Sequence, residues 1–502
     1  MSASAQSVRS SDITTVSPDR DELLALLALQ RAAFHAEGPP TVATRRNRID
    51  RLMLSLLEHS DELTAAIDAD FGRRPSAFSL AVDVLGSLAD AAEISAGLDD
   101  WVKDQPLESG GFIQQHPLGV VAVIGAWNFP VTLTVQPAVA ALAAGNRVVL
   151  KMPSTSPRTA EVLRRAIAEN FAQDEVAVVT GDGQVNDDFV ALPFDHIMFT
   201  GSPRVGSIVQ QAAGKNLVPV TLELGGKNPV VVSAHADIDV AADRVALSRM
   251  ANGGQVCLCA DYVLVHESVK DRFVETLVDK LFGYFPHYID NPDVVSLVND
   301  AAYERIIGLI DDAVHRGATR IDIVNPRERG LLPDPAGRLI PPTLLLDVPD
   351  DALINQDEIF GPVLPISTFR DVDDAIEAVY ANPAPLAAYW YGPDDEDFQR
   401  FCSRTTSGGV TRNDGFAHAG AHGAPFGGVG QSGHGAYHGK FGFDTFTHRR
   451  PIVANDGSVS AIGPLVGTGL NSPDLQRGLT ETLAAARSAH RQRVADYAEA
   501  ST

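Results

Sequence analysis

Residues 120–151 read VVAVIGAWNFPVTLTVQPAVAALAAGNRVVLK, and this stretch decides the fold. Val120 to Gly125 is a run of β-branched and small apolar residues closed by a glycine, as in a strand buried on both faces. Asn128 and Pro130 break the run, Pro137 to Ala144 opens an apolar helix, and Arg147 to Lys151 (RVVLK) returns as a second strand. No Asp, Glu, Lys or Arg occurs from Ser109 to Asn146, as in a membrane span. Gly125, Asn128, Pro130 and Pro137 interrupt it, however, so no unbroken run of about 20 apolar residues exists, and a span is rejected.

The alternation continues outward. A helix is expected from Arg158 to Phe171, strands over Val176–Thr180 and His196–Thr200 (HIMFT), and a helix from about Ser202. It restarts at Val230–Val232, with a helix over Ile238–Met250, a strand over Tyr262–His266 and a helix over Lys270–Phe282. Further strands are expected at Thr343–Leu346, Leu364–Phe369 and Ala387–Tyr391. Two successive series of this kind predict two doubly wound α/β lobes with a cleft between them. Amphipathic helices, with Leu52, Leu56 and Leu57 among their apolar positions, precede the first strand. Ser472 before Pro473 starts a closing Ala/Arg-rich helix that runs to about Ala500.

Length and charge bound the function. A chain of 502 residues holds two or three domains, since one core rarely grows past about 250–300 residues. Lys plus Arg is 40 and Asp plus Glu is 64, giving a net charge of −24. That excess speaks against nucleic acid or an anionic membrane surface as partner, because both need a basic footprint. Three cysteines, Cys257, Cys259 and Cys402, make no disulfide framework and fit a reducing compartment such as the cytoplasm. Residues 1–19 are rich in Ser and Thr, lack the apolar core of a secretory signal, and read as a disordered leader.

Four segments carry chemistry. Ala126-Trp127-Asn128-Phe129-Pro130 follows a strand, and an Asn there either donates its amide to a developing oxyanion or bonds the turn backbone. Phe199-Thr200-Gly201-Ser202, with Gly206 beyond, lets a backbone approach a pyrophosphate, although a plain glycine turn reads the same way. Leu222-Glu223-Leu224-Gly225-Gly226-Lys227 stands at the junction of the two series. Its carboxylate is either desolvated into a general base or paired with Lys227. Asn252-Gly253-Gly254-Gln255-Val256-Cys257 places a sulfur in a glycine-rich loop, as a nucleophile or as a packed thiol. No His/Cys cluster completes a metal site around Cys259, and none is expected.

Together with Glu358–Val363 (EIFGPV) and Pro425–Gly433 (PFGGVGQSG), these segments occur in an order that resembles the aldehyde dehydrogenase superfamily, from about Leu24 to Arg450. Tyr437-His438-Gly439-Lys440, Phe446–Arg450 and the opening Gln30–Pro40 are similar to its class 3 and coniferyl-aldehyde branch. The resemblance implies Cys257 as nucleophile on an aldehyde carbon. Asn128 and the Cys257 N–H would form an oxyanion hole, at about 3 kcal/mol per donor. Glu223 would activate the deacylating water. Trp127, Lys151, Ser154, Gly201, Ser202, Gly206, Glu358 and Phe360 would hold NAD or NADP. Ser154 stands where NAD-preferring members carry a Glu, which makes NADP plausible; NAD is the first expectation.

Two departures from the branch are noted. Cys259-Ala260 replaces Ala-Pro, bringing a second thiol near the first, either redox-active or packed. Arg412 replaces an apolar residue and either receives an anionic or phenolic substrate, if it faces the pocket, or forms a surface salt bridge; His418 either stands near the substrate mouth or makes a structural hydrogen bond. By resemblance the lobes are a Rossmann-like cofactor lobe (20–224, with an arm at 102–116 and a return at 419–436) and a catalytic lobe (225–418). A small β oligomerisation arm includes 437–450 and implies a homodimer or homotetramer. A partly helical extension covers 451–502. The expected activity is oxidation of an apolar or aromatic, coniferyl-like aldehyde to the acid. The rivals are a coenzyme A-acylating enzyme and a catalytically silent member of the fold.

Overall fold

The computed structural model describes residues 17–500 apart from positions 109, 456, 458, 459, 461, 464, 465, 467, 468 and 471. Of the expected leader, residues 1–16 lie outside the described residues. Contacts divide the chain into two units, one holding Gln115–His448 with the chain up to Lys103, the other Asp104–Gln114 with the chain from Arg449.

The larger unit is built on two sheets. The first has six strands in the order Gly433–His434, Val220–Leu224, His196–Gly201, Val120–Ile124, Arg147–Lys151 and Val176–Val179. All its pairs are parallel except that of Gly433–His434, which runs antiparallel to the next strand with Gly433 opposite Glu223. The chain winds out from Val120–Ile124 in both directions, so the strand order reverses beside it. The carboxyl ends there carry Gly125 to Asn128 and Gly201-Ser202, the place where open α/β sheets bind ligands. The second sheet has seven strands, ordered Thr319–Asp322, Thr343–Leu346, Val363–Phe369, Tyr262–His266, Pro229–Val232, Ala387–Tyr391 and Gly409–Arg412. Only its edge strand Thr319–Asp322 is antiparallel. These are the two doubly wound lobes expected from the alternation.

Two expectations need correction. The apolar helix spans Thr132–Ala144 and carries Pro137 inside it rather than at its start. Its beginning is set from far away: the Asp83 carboxylate accepts from the N–H groups of Val131 (3.2 Å) and Thr132 (3.3 Å). The segment 437–450 is not all arm. Gly439–Thr445 is a helix, and Tyr437, Phe443 and Phe446 are buried in the core; strand structure starts only at Thr447. The Tyr437 to Phe446 stretch is too apolar to project.

In the smaller unit Gln105–Pro106 pairs antiparallel with the start of Phe112–Pro117, and Arg450 on Thr447–Ile452 donates to Gln114. The closing helix spans Pro473–Ala500, and the Ser472 hydroxyl accepts from the Leu475 N–H at 3.1 Å, the expected cap. No described helix is long and apolar enough to cross a membrane.

Candidate active site

Cys257 sits where the helix Ile238–Met250 gives way to a tight left-handed turn. Asn252, Gly253 and Gly254 all have positive φ (50°, 65° and 80°), a conformation that glycine adopts without strain. A Cβ on Gly254 would lie 2.3 Å from the Gly361 carbonyl oxygen, so this loop and the one bearing Glu358 pack backbone against backbone. Gln255, fully buried, donates to the carbonyls of Asn252 (2.9 Å) and Ser296 (3.1 Å) and accepts from the Val298 N–H (3.0 Å). Asn228 donates to the carbonyls of Cys257 (2.7 Å) and Cys259 (3.0 Å). The sulfur is thus carried on a bolted frame. Burial, then the nearby Glu358 and Glu223 carboxyls, push its pKa up.

Glu223 lies on the strand Val220–Leu224, almost wholly buried, and neither carboxylate oxygen has a hydrogen-bond partner. Burial alone raises its pKa well above the usual carboxylate range. Lys227, the alternative partner, instead donates to Asp261 (2.6 Å) and to the carbonyls of Ile354 (2.9 Å) and Asp357 (3.2 Å). A Cβ on Gly427 would stand 3.1 Å from Glu223 Oε1, so the return segment packs directly on the carboxyl.

Asn128 is buried, and its side-chain amide donates to the Gln255 carbonyl at 3.1 Å, two residues before Cys257. Its own carbonyl accepts from Arg74 Nη1 (2.9 Å) and Asn252 Nδ2 (3.2 Å). The structure therefore joins the Asn128 turn to the Cys257 loop, and burial and charge couple Glu223 to the same sulfur. Trp127 meets Phe360 edge-on at 5.5 Å between ring centroids. Glu358 is pressed against Gly225, where a Cβ would lie 2.1 Å from its Oε2, and burial followed by the Asp261 charge pushes its pKa up to about 8.

The remaining expected residues divide. Lys151 ends its strand buried, donating to Met152 (2.9 Å) and Gly181 (2.8 Å) carbonyls, its pKa lowered by burial to about 8. Ser154 is exposed in the turn that follows. Gly201 ends its strand and Ser202 caps the helix Pro203–Gly214, its hydroxyl accepting from the Val205 N–H at 3.4 Å. Gly206 faces inward: a Cβ there would meet Leu224 at 2.8 Å, so it serves close helix–strand packing. A glycine strand end leading into a helix N-terminus, and a carboxylate against Gly225, fit a dinucleotide.

Arg412 is not brought to the site. It alternates with Thr411 on an edge strand, lies exposed, donates to the Gly392 carbonyl (3.3 Å) and reaches over Phe398. Thr411, on the other face, bonds His418 Nδ1 at 2.8 Å. His418 packs near Tyr389 and Phe426, and its Nε2 is buried without a partner. The Cys259 thiol donates to the Ser248 carbonyl at 3.0 Å, and all three cysteines are free. Sequence reading missed Arg74, Asp83 and Asn228 as supports of the site. No periodicity marks them: Arg74 and Asp83 pair nine positions apart, and the backbone groups of the site that they and Asn228 hold lie 29 to 54 positions away.

This combination defines a dinucleotide-dependent α/β enzyme with a thiol and a desolvated carboxylate in one cleft. The aldehyde dehydrogenase family matches residues 12–452. A probable coniferyl aldehyde dehydrogenase of Caulobacter vibrioides is 43% identical over 438 residues, covering 85% of this chain and 90% of that protein. A dimeric NADP-preferring aldehyde dehydrogenase of Mus musculus is 37% identical, covering 84% and 92%. The substrate-bound structure of Staphylococcus aureus AldH superposes with a TM-score of 0.83 at 32% identity, covering 91% of this chain and 99% of that one. The chain belongs to the aldehyde dehydrogenase family and is an NAD(P)-dependent aldehyde dehydrogenase.

Proposed function

We propose that the enzyme oxidises an apolar or aromatic aldehyde of the coniferyl type to its free carboxylic acid. The Cys257 thiol loses its proton to solvent, its sulfur bonds the aldehyde carbon, and the carbonyl electron pair moves to oxygen as an oxyanion held by the Asn128 amide and the Cys257 N–H. When bound, the dinucleotide supplies the acceptor for the hydride that leaves this carbon, and a thioester on Cys257 results. Glu223 then takes a proton from water, whose oxygen bonds the acyl carbon as the carbon–sulfur bond breaks. The observation that carries this reading is the buried Glu223 carboxylate with no partner at either oxygen. A hydrolytic base needs that state, and an enzyme passing its thioester to coenzyme A does not.

Glu358 and Phe360 would hold the nicotinamide end of the dinucleotide, with Trp127 packed against Phe360. Gly201 and Ser202 would face the pyrophosphate, and Lys151 and Ser154 the adenosine ribose. Lys151 already spends two donors on backbone carbonyls, which leaves less for a 2′-phosphate and favours NAD, with NADP also used. The likeness to the Caulobacter protein supports the aromatic substrate. So does the packing of His418, the residue expected near the substrate mouth, with the rings of Tyr389 and Phe426. The arm strands support a homodimer or homotetramer, and three free thiols support a cytoplasmic setting.

The test is the initial rate of cofactor reduction at 340 nm with coniferyl aldehyde, using NAD and NADP in turn. The wild type reduces NAD faster than NADP, and Cys257→Ala abolishes both. No reduction with coniferyl, benzyl or long-chain aldehydes would remove the substrate assignment.

A further inference from the structure

The turn that carries Asn128 is gripped by a buried ion pair from another part of the chain. Arg74 and Asp83 meet at 2.8 Å, with both side chains wholly out of solvent. Arg74 Nη1 donates to the Asn128 carbonyl at 2.9 Å, while Nη2 donates to Asp83 Oδ2. The other oxygen of Asp83 accepts from the N–H groups of Val131 (3.2 Å) and Thr132 (3.3 Å). One carboxylate–guanidinium unit thus holds the acceptor at the start of a five-residue turn and the donors at its end. The rings of Phe71, Phe78 and Phe129 stand 4.9, 5.1 and 4.9 Å from the guanidinium carbon and close it off from water.

Asp83 reaches this position from Leu80–Leu85, a single π-helical turn between α-helical segments. Such turns insert a residue into a helix, re-aim the side chains around it, and recur at functional sites. The Asp83 carbonyl also accepts from the Ser87 hydroxyl (2.9 Å), which contacts the Thr132 hydroxyl (3.1 Å), so the turn is tied a second time to the same helix start. A buried ion pair is weak support for stability, because desolvation of both charges offsets their attraction. What this pair does supply is a fixed peptide plane at Asn128, and with it a fixed direction for the side-chain amide.

We infer that Arg74 and Asp83 are positioning residues for the oxyanion-binding amide of Asn128. This rests on the role proposed above for Asn128. The pair touches neither aldehyde nor dinucleotide and acts only through the turn. Its loss therefore lowers the rate of the step that builds negative charge on oxygen and leaves thiol chemistry without an oxyanion untouched.

A double-mutant cycle on kcat with coniferyl aldehyde tests this. Asn128→Ala lowers kcat by about 10²–10³-fold, as expected for loss of an oxyanion donor. Arg74→Met lowers kcat by about 10–10²-fold with KM for the aldehyde nearly constant, because a transition-state interaction is lost. The double variant Arg74→Met/Asn128→Ala is no slower than Asn128→Ala alone, since residues acting as one unit are not additive. Alkylation of Cys257 by iodoacetamide, which forms no oxyanion, keeps its wild-type rate in every variant. If Arg74→Met does not fold, Arg74→Lys, which keeps the charge and loses the fork, reads the same cycle. Multiplying losses in the double variant, or a wild-type kcat in the Arg74 variants, would overturn the inference alone. A wild-type kcat in Asn128→Ala would overturn it together with the oxyanion role beneath it.

Discussion

Burial raises the pKa of both Glu223 and Cys257, and that sets how the rate responds to pH. The roles proposed for them need the ionised forms, a thiolate and a carboxylate base. kcat/KM should therefore climb with pH through the neutral and into the alkaline range. Glu223→Gln should cut turnover by about 10²–10⁴-fold, the usual worth of a positioned base, while one rapid turnover per site survives. Stopped-flow absorbance at 340 nm separates that burst from the stalled steady state. The same shift acts on stability. A carboxyl whose pKa is higher folded than unfolded contributes stability that is complete below its unfolded value and lost as pH rises through its folded value. For Glu358 that loss runs from the ordinary carboxylate range up to about 8, so Glu358→Gln should flatten the fall in Tm over that interval. Cys259 is different in kind: its thiol is committed to the Ser248 carbonyl. Cys259→Ala should leave kcat within about twofold and cost about 1 kcal/mol in urea unfolding, the worth of a small buried contact.

At the scale of elements, loops that touch across the cleft do more than the strands themselves. The Glu358 loop is fastened by Arg305 to the Glu358 and Ile359 carbonyls, and Asp261 accepts from the Ile359 N–H at 2.9 Å. Gly225 leaves the space that the Glu358 carboxyl fills. Gly225→Ala would push that carboxyl aside, and we expect KM for NAD to rise about tenfold, the loss of one hydrogen-bonding group or about 1.4 kcal/mol. An unchanged KM for NAD in steady-state kinetics would mean that Glu358 does not serve the cofactor. The strands were legible in the sequence because they are short apolar runs between breakers, as in Val120–Ile124 and His196–Gly201. The start of Thr132–Ala144 was not. A proline suggested a helix beginning at Pro137, whereas a carboxylate 49 positions earlier supplies the cap. Likewise Arg412 stands out in the sequence by its charge, but strand alternation turns it outward.

At the scale of the molecule, the lobes bring Cys257 from one α/β series to Asn128 and Glu223 from the other, so neither series alone forms the site. Order of motifs made that legible, since the six segments only make sense as one cleft. What the sequence leaves hidden is support from outside the motifs: Arg74 and Asp83 pair nine positions apart, Arg74 reaches Asn128 54 positions on, and Asn228 reaches Ala387 159 positions on. The arm predicts self-association. Deleting 104–114 should convert an oligomer to a monomer by sedimentation, and a wild-type chain that sediments as a monomer would contradict it.

The central claim is that Cys257 carries the acyl group and Glu223 releases it. Intact-mass and peptide mass spectrometry of Glu223→Gln, quenched after mixing with NAD and coniferyl aldehyde, tests it most directly. The account predicts one acyl adduct per chain, on the peptide that contains Cys257, and none in Cys257→Ala/Glu223→Gln. An adduct on Cys259, or wild-type turnover of Glu223→Gln with no adduct, would contradict it.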